Sequence, residues 1–201
     1  PETRTLWQVD GQKLQPLAEY SGTVLDNRSL RIRAVACAGE TLLIRAVPQN
    51  GRENEAQLFR WHLPTGSIEQ LPLPHVVELC ALDDAYALVL QQDVTAMKEV
   101  LSRIDAATGC IVETLYTAPV QGMEGIMVHP KTRQIIAFVA GAPSLWNGSS
   151  WEPMQGYGLS IHTDACAVIG DGLAAINFND LQVIPFVPEN SLTTLRISGI
   201  M

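Results

Sequence analysis

The sequence predicts an all-β protein assembled from similar four-stranded antiparallel units. Three observations lead there: short β-rich runs are broken throughout by Gly, Asp, Asn and Pro, sustained helical periodicity is hard to find, and one strand–corner–strand pattern recurs. The recurrence is plainest between RIDAATGCIVETL, residues 103–115, and RWHLPTGSIEQL, residues 60–71. In each, a polar corner ending in Thr-Gly separates two apolar strands, which suits a type I turn followed by a glycine at positive φ. The corners Thr65-Gly66 and Thr108-Gly109 lie 43 residues apart. That spacing is the length of one blade of a β-propeller. The best helical signature, DVTAMKEVLSRI from Asp93, gives way to the repeat, because residues 101–115 fall on 58–71 once a one-residue slip is allowed.

Taken in order, the elements alternate between outer and inner hairpins. LWQVDGQKLQPL turns at Gly11, and LRIRAVACAGETLLIRAV from Leu30 turns at Gly39-Glu40. The Gly66 hairpin follows, then VVELCALDDAYALVLQQ from Val76 around Asp83-Asp84, then the Gly109 hairpin. MEGIMVHPKTRQIIAFVAG turns at residues 130–133 and LWNGSSWEPM at Gly148. GLSIHTDACAVIGDG from Gly158 is expected to turn near Asp164, and AAINFNDLQVIPF around Asn179-Asp180. Turn chemistry and alternation support each hairpin. This register predicts blades at 1–22, 29–74, 76–118, 122–155 and 157–188, about five in all. The first is incomplete. The tail SLTTLRISGI, 191–200, is expected to return to that first blade as a closing strand, which would remove exposed edges. One strand of the composite blade stays unaccounted for, so the reading includes a segment of a larger ring.

Composition excludes several classes. With 47% hydrophobic residues in 201, the chain can bury a substantial core. Its net charge of -8 argues against a nucleic-acid or anionic-membrane partner, since both rely on Lys and Arg. No apolar run approaches the roughly 20 residues of a membrane helix, and PETRTLWQVD lacks a signal pattern. Cys37, Cys80, Cys110 and Cys166 are scattered, without a C-x-x-C pair. Cys37, Cys80 and Cys166 sit in apolar runs as core thiols, which points to a reducing, cytoplasmic compartment. The sequons at Asn27 and Asn147 would matter only in a glycosylating pathway.

At residues 101–115 the outer hairpin resembles quinoprotein-like (PQQ-type) propeller repeats. RWHLPTGSIEQL is similar, with His62 where Asp105 stands. The WD-class and kelch signatures are absent, while the blade logic is shared with WD40-like propellers. That superfamily contains cofactor-using dehydrogenases and non-catalytic scaffolds. The resemblance supports the fold, and no cofactor contact maps onto this chain.

Candidate chemistry follows from the alignment of inner strands. Glu78 and Glu124 fall at equivalent positions with Arg33 and Gly158 in the same layer, where a channel could hold them as a cation site or an acid–base pair. Their separation would dictate the stereochemistry of a glycoside cleavage. Against this stands simple hydration at a channel mouth. His62, His75, His129 and His162 lack metal-ligand spacing; His162 is the one placed on a channel-facing strand. No metal is expected, nor does any nucleophile elbow or phosphate loop occur. Trp7, Trp61 and Trp146 are read as packing between blades, while Trp151 with Met154 forms a candidate surface patch. VPQNGRENEAQ, 47–57, carries Arg52 and Glu53 on an exposed loop that could contact a partner. The expectation is therefore a non-catalytic interaction or scaffold module that binds another protein or another domain. Two alternatives accompany it: a hydrolase or lyase using the channel carboxylates on a sugar-like or lactone substrate, and a structural segment completing a larger propeller.

Overall fold

The computed structural model describes residues 4–10, 13–27, 29–120, 122–154, 165–169, 172–177, 180–185 and 195–198. The fold is all-β, built of repeated four-stranded antiparallel sheets. A two-stranded sheet comes first, β1 (Thr5–Asp10) with β2 (Lys13–Glu19). The next holds β3 (Leu30–Ala38), β4 (Thr41–Pro48), β5 (Gln57–His62) and β6 (Ser67–Leu71) in sequence order. Then come β7 (Val76–Ala81), β8 (Tyr86–Asp93), β9 (Lys98–Asp105) and β10 (Ile111–Pro119). The fourth sheet is β11 (Glu124–Val128), β12 (Ile135–Val139), β13 (Ala142–Trp146) and β14 (Trp151–Pro153). The last is β15 (Ala165–Ile169), β16 (Gly172–Asn177), β17 (Asp180–Pro185) and β18 (Leu195–Ser198). Every strand pairs with its neighbour in sequence, so short turns suffice for most connections. The segment from Asp93 is the β8–β9 hairpin rather than a helix.

The chain forms two compact units, residues 1–91 with 104–112, and residues 92–103 with 113–201. In the first unit β4 is buried on both faces, which explains its largely apolar run, interrupted at Arg45. Leu43 enters a cluster with Leu58, Leu71, Val76, Val89 and Ile104. Leu42 and Ile44, on the opposite face, meet Leu25, Phe59 and Trp61. The first strands of successive sheets, β3 and β7, lie side by side. In the second unit Leu101, Met123, Ile136, Ala137 and Phe138 are fully buried.

Both Thr-Gly corners have the expected geometry. Gly66 (φ +68°) and Gly109 (φ +72°) donate to His62 O at 2.9 Å and Asp105 O at 2.8 Å. Asp105 Oδ1 accepts from the Thr108 amide and hydroxyl at 2.7 and 2.9 Å. His62 reproduces this with Nδ1 at 2.9 Å from Thr65 Oγ1, so a ring nitrogen replaces the carboxylate without changing the corner. The Asp83-Asp84 turn is closed the same way, with Asp83 Oδ1 accepting from Ala85 and Tyr86 amides, both at 2.8 Å.

Several expectations are corrected. The tail strand, expected in the first sheet, is the fourth strand of the last one among the described residues: β18 pairs with β17, Leu181 opposite Ile197. The described strands of the last sheet lie within 165–198, where the reading placed a blade at 157–188, and they are displaced by one from the predicted order. Ala165–Ile169 is the first strand and pairs directly with Gly172–Asn177, Ile169 opposite Gly172. The Gly-Asp-Gly run at 170–172 is a stronger hairpin signal than the Asp164 on which the prediction turned. Trp7 is 57% exposed rather than packed, whereas Trp61 is 4% exposed as expected. Cys37 is exposed because it lies on the outward face of β3, not in the core. Gly11, Gly158, His162, Asp164 and Asn179 lie outside the described residues.

Candidate functional site

The first unit carries an open cleft of about 610 Å³ between a short loop and the second sheet. Its loop wall is built locally. Thr23 caps a 3-10 turn, Val24–Asp26, by accepting from the Leu25 amide at 3.2 Å while its hydroxyl donates to Tyr20 O at 2.6 Å. Asp26 accepts from the Gly22 amide at 3.0 Å and pairs with Arg4 Nε at 2.9 Å. Leu25 anchors the turn in the core, leaving Val24 48% exposed toward the cleft. The opposite wall comes from Pro48, Gln57 and Gln70, with Phe59 as floor. A second hollow of about 300 Å³ adjoins it, sharing Ser29 and Pro48 and adding Asn50, Gly51 and Glu55. Ser29 O accepts from the Gln49 amide at 2.6 Å, which ties the two walls together.

The loop after β4 takes part in a charged clip that the sequence reading did not identify. Arg45, buried at 6% exposure in β4, donates from Nε to Val76 O at 2.8 Å and from Nη2 to Glu53 O and Oε2 at 3.2 and 2.5 Å. Glu53 Oε1 meets Arg33 Nη2 at 3.1 Å. The Arg45 hydrogen bond holds the Glu53 carboxyl below its ordinary value of 4.5, helped by the charges of Arg45, Arg33 and Arg31 against desolvation. Glu53 is thus half of a clip joining β4 to the start of β7, while Arg52 beside it is exposed. The signal was visible: a lone Arg inside TLLIRAV needs a buried partner.

The channel candidates distribute as follows. Each first strand of the middle three sheets carries an irregularity: at Arg33 in β3, at Val77 in β7, and between Glu124 and Met127 in β11. Arg33 is the bulged residue itself and is held by Glu53. Glu78 follows its bulge and is half-buried in the first unit; Glu124 precedes its own and is exposed in the second. Bulges re-aim side chains, which is why alignment by turn position alone does not describe their directions. Among the described residues, no group of three or more His, Cys, Asp or Glu converges for a metal.

In the second unit Trp151 packs edge-on against Tyr116 (centroids 6.2 Å apart) and tilted against Trp146 (5.2 Å). It is half-buried, and Met154, whose amide donates to Pro143 O at 2.9 Å, is partly covered as well. Glu99, wholly buried in β9, accepts from Gln92 Nε2 and the Met123 amide, each at 3.4 Å. Burial first, and the nearby Glu99 second, push the Tyr116 hydroxyl above its ordinary value of 10.0. His129 is buried and its Nδ1 accepts from the amides of Lys131 and Thr132 at 3.2 and 3.1 Å, shaping the turn. His75 Nδ1 lies 3.3 Å from Asn54 O.

No family model matches this chain, and no curated protein matches it. Solved structures do. The β-propeller domain of the Trilobed protease from Pyrococcus furiosus, described as having an open velcro topology, matches with TM-score 0.56 and 7% identity over 85% of this chain and 58% of that one. An exo-β-1,3-galactanase from Phanerochaete chrysosporium matches with TM-score 0.55 and 10% identity, covering 89% and 50%. The extracellular domain of a hybrid two component system from B. thetaiotaomicron matches with TM-score 0.54 and 15% identity, covering 84% and 22%. In each case this chain spans less than two thirds of the matched protein. The likeness is one of fold, that of several propeller blades, and it extends across catalytic and sensory proteins alike; none of these three is described as a quinoprotein or WD-repeat protein.

Proposed function

We propose that this chain is a non-catalytic interaction module, a run of propeller blades that joins further β-structure in a multi-domain or multi-subunit assembly. One observation carries the reading: β1 and β2 form a two-stranded sheet where every other sheet has four. By position, β1 corresponds to β5, β9, β13 and β17, each of which pairs on both sides. Among the described residues β1 pairs only with β2, so one edge offers unpaired amides and carbonyls. The same hairpin presents Trp7 at 57% and Leu14 at 66% exposure, whereas Leu6 and Leu17 pack inward on the Phe59 cluster. Edge and face together suit a partner that adds strands and covers apolar surface.

A photo-reactive residue at position 14, in protein made by its own host, tests this. Crosslinks to one discrete polypeptide segment, with none from a control probe at exposed Val35, are expected; equal and scattered labelling from both positions would overturn the reading. The alternative use of Glu78 and Glu124 as catalytic carboxylates predicts the opposite of indifference. In our reading the double variant E78Q/E124Q keeps the crosslink, and neither form turns over glycosides or lactones.

A further inference from the structure

We infer that the cleft of the first unit, with the hollow beside it, binds an extended polypeptide segment that carries a Lys or Arg side chain. The inference takes polypeptide as the ligand class from the interaction reading above, but its site is separate from β1.

The chemistry of the walls selects the ligand. Gln57 and Gln70 reach the cleft with side-chain amides that make no hydrogen bond to other described residues. A primary amide offers donor and acceptor together, the pair that an extended peptide backbone presents at each residue. Val24, Leu30 and Pro48 add apolar surface for an alternate side chain. At the far end the adjoining hollow holds Glu55, an exposed carboxylate with no ion pair among the described residues. Its neighbour Glu53 is committed to Arg45 and Arg33, so Glu55 is the carboxylate left for an incoming cation. Gly51 lets Glu55 lie against the turn, since a Cβ there would stand 2.9 Å from Glu55 Oε2.

Other ligand classes fit less well. Sugar sites commonly use an aromatic face for stacking, and the one ring here, Phe59, is 1% exposed. Nucleic acid meets a carboxylate and a chain of net charge -8. The walls are also set in advance by the Thr23 cap, the Arg4–Asp26 pair and the Ser29–Gln49 bond, which lowers the ordering cost of binding.

The test is a positional library of end-blocked heptapeptides, titrated against the full 201-residue chain by fluorescence anisotropy. Enrichment of Lys or Arg at one position, next to an apolar preference a few residues away, is the expected result. Glu55→Lys should weaken the selected basic peptide about two- to five-fold, as an exposed ion pair warrants, and shift the preference at that position to Asp or Glu. The pair Gln57→Leu, Gln70→Leu should weaken all bound peptides about tenfold or more without changing the charge preference. Circular dichroism matching the parent chain establishes that the variants fold. Absence of any saturable peptide, an unchanged charge preference in Glu55→Lys, or saturable binding of a neutral oligosaccharide panel instead would each overturn the inference. Trp7→Glu separates the two proposals: it should abolish the β1 crosslink and leave peptide affinity within twofold.

Discussion

Two glycines in matching corners ought to respond differently to the same substitution. Gly66 and Gly109 share a positive φ, so alanine strains either backbone by about 1 kcal/mol. At Gly66 nothing lies within reach of an added Cβ, whereas at Gly109 it would overlap Leu71, with Cδ1 only 2.8 Å away. Leu71 is itself buried among Leu58, Val76 and Ile104 and has little room to yield. Urea denaturation should therefore show Gly66→Ala losing about 1 kcal/mol and Gly109→Ala about 2–4 kcal/mol. Glu53 gives a pH prediction of definite sign. Its carboxyl is held low in the folded chain, so its stabilising contribution is complete above the ordinary value of 4.5 and disappears as pH falls through the depressed folded value. The Tm difference between the parent and Glu53→Gln should stay constant down to about that pH and shrink below it. These residues differ in how far they could be read beforehand. The Thr-Gly corners were legible because only glycine enters that φ freely, but the grip of Glu53 on Arg45 depends on a loop folding back, which no local pattern encodes.

At the scale of elements, hairpins with strong turn residues were recovered, and those with competing signals were not. Gly39, Asp83, Gly66 and Gly109 each mark a turn where the structure has one. In the last sheet β15 pairs directly with β16 across the Gly-Asp-Gly run, and reading β15 as a second strand displaced every later strand by one. The bulges at Arg33 and Val77 were invisible for a different reason: an extra residue on one strand leaves the apolar alternation nearly intact. The exposure of Trp7 escaped the pattern where the burial of Trp61 did not, since the same third-strand position is covered only where a further strand or sheet packs on it. Trp61→Ala should cost about 3–5 kcal/mol in the isolated chain, and Trp7→Ala less than about 1 kcal/mol, by the same denaturation experiment. If a partner covers the ring as proposed, Trp7→Ala should become costly in the assembled state.

For the molecule as a whole, a repetitive scaffold carries the two proposed recognition surfaces, which differ in kind: an open strand edge and a polar cleft. Both come from the same economy of the sheet: backbone groups in a complete blade are mutually satisfied, so recognition falls to an incomplete sheet and to loops. Of the candidate channel residues, Arg33 is engaged by Glu53, and Glu78 and Glu124 belong to different compact units. The open edge of β1 is the central claim, and residue-resolved amide hydrogen exchange of the 201-residue chain tests it most directly. Alternating protection is predicted along residues 5–10, with every second amide exchanging fast, against continuous protection along β5; the fast amides should become protected once the crosslinked partner segment is present. Continuous protection along β1 in the chain alone would contradict the account.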